Sequence, residues 1–242
     1  MQCLCELPPS GNRVPGHDEH RPGAGIHQQH GELQRRRSGV PVVGIPFLSA
    51  GVAAFTLGVW MLPGAGEVLQ YERDAIISGE VWRPISGHFT HWTASHVFWD
   101  LVAFAVLGPL VECRSRALFA RTVLASAAAI STGVWFLAPT FEAYRGLSGV
   151  DSALFGAVVA WIAGDGIARR TWRGAMPALA AGVVFAVRTV CEVASGVPVF
   201  VGVDAAFTSL PIAHLLGALT GAALGVAGRM RMRLAAFCHP AK

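Results

Sequence analysis

Two residues in this sequence have types and surroundings that suit them to covalent chemistry together. Ser148 stands in Tyr144-Arg-Gly-Leu-Ser-Gly-Val-Asp-Ser152, between glycines at the mouth of an apolar run. His214 stands early in another, Ala213-His-Leu-Leu-Gly-Ala-Leu-Thr-Gly221. A serine hydroxyl is a weak nucleophile until an imidazole within about 2.6–3.2 Å takes its proton. His96 and Asp100 form a second group, since residues four apart share one face of a helix. Asp151, Ser152 and Arg188 are the other polar residues set in apolar stretches, where such groups are costly enough to count as site candidates. Plainer roles explain the same residues. Ser148-Gly-Val-Asp151 has the form of a helix capping box, His214 can be a satisfied packing residue, and His96 with Asp100 a buried pair. Spacing alone leaves both readings open.

The elements that must position these residues follow from composition. The chain has 242 residues, 53% of them hydrophobic and 14% charged, with a mean hydropathy of +0.48. A soluble domain carries about 25% charged residues, and several runs here approach the ~20 apolar residues that cross a bilayer. A soluble enzyme is excluded; an all-α polytopic membrane protein is expected. Six spans are predicted, over about 42–62, 94–111, 117–138, 148–164, 175–194 and 208–228. Residues 1–40 lack apolar periodicity and read as a disordered cytoplasmic tail, or as an extension from a start assigned too far upstream. Residues 41–230 make the membrane domain and 231–242 a short basic tail. In the first tail, His17, His20, His27 and His30 with Cys3 and Cys5 are metal-ligand types, but no turn or helix signal closes a geometry around them. The five cysteines show neither zinc-site spacing nor a disulfide framework. Neither a metal nor another cofactor is expected.

Charge sets the orientation. With both termini cytoplasmic, the inner flanks hold Arg35, Arg36, Arg37, Arg114, Arg116, Arg121, Arg169, Arg170, Arg173, Arg229, Arg231 and Arg233. The outer segments hold only Arg73, Arg83, Arg145 and Arg188. This is a positive-inside bias, so the arginines mark sidedness and not a nucleic-acid surface. The 64–92 loop, the approach to Ser148 and the 192–204 segment then lie outside. Ser148 opens its span from that side, and His214 lies about 9 Å into its own, at similar depth. Gly217, Gly221 and Gly225 make one stripe, facing small residues such as Gly149, Ala153 and Ala157. Such stripes let membrane helices approach closely, and a Ser–His hydrogen bond needs that approach.

Several motifs now stand in order: Trp82-Arg83, His91 and His96 leading into a span, Gly108-x-x-x-Glu112, Gly146-Leu-Ser-Gly149 and Ala213-His-x-x-Gly217-x-x-x-Gly221. Together, over roughly residues 45–228, they resemble the rhomboid intramembrane serine proteases. The compact six-span layout with GLSG and AHLLGALTG resembles the rhombosortase branch in particular. The resemblance implies an endopeptidase with Ser148 as nucleophile, His214 as its base and no third acidic member. It implies an oxyanion site formed by the Ser148 N–H with side chains at His96 and Asp100, beside the flexible backbone of Gly146. It also implies transmembrane protein substrates, reached sideways past span five, and a bacterial inner-membrane location. Rhombosortase substrates would be exported proteins with a C-terminal sorting tail.

Two positions depart from the family's pattern. Asp100 stands where an asparagine is usual, and an ionised carboxylate has no hydrogen to donate. It fits if it stays protonated, or if it turns away to hold His96. Ser152 stands where many rhomboids place a tyrosine against the base. Arg188 and Glu192, four apart at the outer end of span five, read as a gate latch or as a snorkelling interfacial pair. Two other functions compete: a catalytically inactive rhomboid-like protein that binds transmembrane clients, and a small transporter with His and Asp as a proton relay.

Overall fold

The computed structural model describes residues 45–195 and 210–238, with 231–238 described by backbone alone. The expected N-terminal tail, its histidines and most of the segment after Ser195 lie outside these residues. Six long helices follow one another: α1 (Phe47–Met61), α2 (Ala94–Arg114), α3 (Arg116–Leu137), α4 (Ser148–Ala168), α5 (Trp172–Ser195) and α6 (Pro211–Cys238). The chain is an all-α polytopic bundle. From α2 to α6, five helices are long and apolar enough to cross a membrane. As described, α1 is about 22 Å long, less than the ~30 Å of a hydrocarbon core; the residues before Ile45 that its predicted span includes are outside the description. Several helices run beyond their predicted ends, α6 as far as Cys238. Hydropathy stops at the first arginines, whereas arginine is itself a good helix former and does not end the backbone ladder.

Helix starts are set by local chemistry. Thr93 caps α2, its hydroxyl accepting from the His96 N–H at 3.1 Å. Ser115 turns the chain between α2 and α3 and caps α3 through the Leu118 N–H. The start of α1 is capped from a distance: Glu112 of α2 accepts the Leu48 and Ser49 N–H groups at 3.0 and 2.7 Å. Gly108, one turn before Glu112, lets Ser49 come close enough, since a Cβ there would lie 3.0 Å from the Ser49 side chain. The Gly108-x-x-x-Glu112 motif therefore joins α1 to α2.

The 64–92 loop folds into short helical turns and one strand, Tyr71–Glu72, which pairs antiparallel with Ala143–Tyr144 just before α4. Arg83 holds this loop. Its Nη1 donates to the Glu67 and Gln70 carbonyls at 2.8 and 3.0 Å and its Nε to Glu80 at 2.7 Å. The adjacent Trp82 is half exposed. His88 is fully buried against α3, with Nε2 3.1 Å from both the Ala127 carbonyl and the Ser131 hydroxyl. Burial pulls the His88 imidazole down to about 4, keeping it neutral.

The closest helix pair is α4 with α6. Gly217, Gly221 and Gly225 lie against the Gly149, Ala153 and Ala157 carbonyls. A Cβ at Gly217 or Gly221 would overlap the facing oxygen, and one at Gly225 would stand 2.8 Å from it. Only a side chain of hydrogen permits this spacing.

Candidate active site

Ser148 is the first residue of α4. It follows Gly146, whose φ of +136° is a conformation that side chains disfavour. Space at Gly146 is short as well: a Cβ would stand 2.9 Å from His96 Nε2. Tyr144 tightens the approach, donating its hydroxyl to the Gly146 carbonyl at 3.1 Å. Burial pushes the Tyr144 phenol up, so it remains a donor.

The capping reading of Ser148 does not hold. Leu147 takes the N-cap position with no side-chain capping bond, and both Asp151 carboxyl oxygens lack a hydrogen-bond partner. Ser148 Oγ instead lies 3.0 Å from His214 Nε2 of α6. The distance is within the range for proton transfer between hydroxyl and imidazole. The sequence separation is bridged by the glycine seam, with Gly217 three residues beyond His214 meeting Gly149, the neighbour of Ser148.

His96 and Asp100 lie beside the pair, but the carboxylate has other principal partners. Asp100 Oδ2 accepts the Leu147 N–H at 2.9 Å and the Ser148 N–H at 3.1 Å. His91 Nε2 lies 3.0 Å from the same oxygen and His96 Nε2 3.4 Å. A single carboxylate oxygen thus fills a cluster of donors at the start of α4, a position that favours anions. His91, to which the motif spacing gives no role, reaches Asp100 across the turn before α2. The three residues also bring metal-capable atoms within 4.8 Å of one another. Hydrogen bonding to Oδ2 accounts for that convergence. Ser152 bonds back to the Ser148 carbonyl at 2.8 Å, which satisfies its hydroxyl within α4.

Ser148, Ser152, His96, Asp100 and His214 line a cavity of about 320 Å³, together with Trp92, Asp151, Phe185 and Arg188. Arg188 Nε pairs with Glu192 Oε1 at 3.0 Å, and Glu192 is buried. The expected pair on α5 is therefore formed at the cavity wall. Asp151, a candidate by its place one turn after Ser148 in an apolar helix, lies at the cavity wall without the capping role that its spacing also suggests.

Residues 78–231 match the family of the Rhomboid domain, and the chain belongs to the rhomboid family. Rhomboids are intramembrane proteases that act on transmembrane substrates, and this is an integral membrane protein of that family. No curated protein matches the sequence.

Proposed function

We propose that the protein is a serine endopeptidase that cleaves transmembrane-anchored proteins near the outer membrane face, with Ser148 and His214 as catalytic dyad. The observation that carries this reading is the 3.0 Å approach of Ser148 Oγ to His214 Nε2 in a cavity beside backbone N–H donors. His214 takes the hydroxyl proton as Oγ attacks the scissile carbonyl carbon. The tetrahedral intermediate collapses as His214 returns that proton to the leaving amine, leaving an acyl-enzyme. Water, deprotonated by His214, then attacks the ester and releases Ser148.

Charge on the intermediate's oxygen needs donors, and the loss of one costs about 10²–10³ in rate. The Ser148 N–H and His96 Nε2 are suited to this role. Asp100 Oδ2 sits on both, so the carboxylate must give up these two donors when the intermediate forms. Asp100 then keeps its bonds to His91 and the Leu147 N–H. Positive-inside charge supports cytoplasmic termini, with residues 1–40 and 231–242 flanking the membrane domain, and the family resemblance supports a bacterial inner membrane. The GLSG and AHLLGALTG segments support rhombosortase-type processing of C-terminal sorting tails.

The test is co-expression with tail-anchored reporters, alongside labelling by a fluorophosphonate. The native protein is expected to cleave and to label; Ser148→Ala is expected to do neither. Well-folded native protein that never labels would sink the enzyme reading. The second reading, a client-binding protein without activity, draws on the carboxylate occupying the anion site. Asp100→Asn separates the two, because the amide supplies a donor where an ionised carboxylate has none. A strong rise in cleavage would make Asp100 a brake on a working enzyme, and silence in both forms would favour client binding.

A further inference from the structure

Two carboxyl groups face the cavity, and only one is provided for. Asp100 collects backbone and histidine donors. Asp151 lies one helical turn after Ser148, is 6% exposed and lines the same cavity, yet neither of its oxygens has a hydrogen-bond partner. The cations nearest the cavity are engaged elsewhere. Arg188 is directed to Glu192, and Arg145 bonds Gln70 and stacks over Trp92. A buried carboxyl without a partner is unfavourable, and such residues in membrane helices face a partner or a substrate path. A carboxyl offers an acceptor oxygen in either protonation state, so the missing group is a donor. Two free oxygens side by side match the fork of a guanidinium.

We propose that Asp151 is a specificity-determining residue that receives a basic substrate side chain, arginine above lysine, from a position flanking the scissile bond. The inference rests on the protease reading above. Residues one turn apart on a helix have Cβ atoms about 5–6 Å apart. A substrate carbonyl held at Ser148 Oγ therefore brings the side chain of an adjoining residue within reach of Asp151. The open part of the cavity takes that side chain, between α4 and Phe185 of α5.

The experiment uses the full chain in liposomes with one transmembrane reporter. The residues on either side of its scissile bond are set in turn to Arg, Lys, Ser and Leu. Native protein is expected to cleave the best Arg reporter at least tenfold faster in kcat/KM than its Leu counterpart. Asp151→Leu is expected to erase or reverse that preference while still cutting the Leu reporter. Asp151→Asn, nearly isosteric, is expected to fold normally and to lose most of the Arg advantage while cutting the Ser reporter. An unchanged ranking in Asp151→Asn, or a native preference for Leu at every position, overturns the proposal. Fluorophosphonate labelling of Ser148 keeps the two levels apart. Labelled enzyme that ignores side-chain identity overturns the subsite alone. Native protein that neither labels nor cleaves overturns the protease reading and the subsite with it.

Discussion

α4 has two neighbours that meet it in opposite ways. Against α6 it presents Gly149, Ala153 and Ala157, and the glycines of α6 come down on their carbonyl oxygens. Against α5, beyond the connecting turn where Gly166 meets Ala175, the contact is made by bulkier side chains, with the Phe155 and Phe185 rings 5.1 Å apart and Val159 reaching toward Gly182. α5 leaves Val183, Val184, Val187 and Val190 exposed. Backbone against backbone has no rotamers to adjust, so the α4–α6 distance is fixed and with it the Ser148–His214 hydrogen bond. Side chain against side chain can slide and repack. The rigid side carries the proposed dyad, and the adjustable side borders the cavity through Phe185 and Arg188.

The contrast can be broken most directly at Gly221. Gly221→Val sets a branched side chain against the Ala153 carbonyl and must push the helices apart. It is expected to lower cleavage at least 100-fold while an α-helical membrane protein is still made, checked by reporter cleavage and circular dichroism. Retention of near-native activity would mean that the seam does not set the dyad distance.

His88 tests whether the rigid side extends to the outer loop. Its folded pKa is lowered to about 4 from 6.5 by burial. The unfolded state then binds more protons between these values, so the stability held by neutral His88 is complete above pH 6.5 and is lost as pH falls toward 4. The loss amounts to about 3 kcal/mol at 1.36 kcal/mol per pH unit. Thermal unfolding followed from pH 7 to pH 4 should show this decline, and His88→Asn should flatten it. An equally steep decline in the variant would assign the acid sensitivity to other groups.

The smallest change is expected on the adjustable side. Phe185→Ala removes a half-buried ring, at a stability cost of about 1 kcal/mol. Cleavage is expected to stay within a few-fold of native or to rise as the α4–α5 contact loosens. A loss as large as that of Gly221→Val would erase the distinction between the two faces.

Much of this is legible in the sequence. Apolar run length marked the helices from α2 to α6, since crossing a bilayer demands it, and the family resemblance is matched by the Rhomboid domain over residues 78–231. Hydropathy could not mark where hydrogen bonding ends, and so helix ends differed. The Ser-x-x-Asp pattern at Ser148 was ambiguous, because a capping box and an apolar helix opening with two polar residues look alike in one dimension. Gly108 and Glu112 were recognisable as a motif, but their action on the α1 backbone became clear only when Leu48 and Ser49 were seen bonded to Glu112.

The sequence by itself determined which residues can react and how closely their helices can pack. Ser148, His214 and the glycine stripe are local facts of residue type and period, and those suffice for close approach. Only the tertiary structure decided what the two carboxylates do. Asp100 and His96 share a helix face by spacing, yet the shorter contacts of Oδ2 are to the Leu147 and Ser148 N–H groups and to His91, brought in by the fold. Asp151 is close to Ser148 in sequence and is left without a partner because the fold buries it at the cavity wall away from donors. A carboxylate's role depends on the donors around it, and those arrive from elements far apart along the chain.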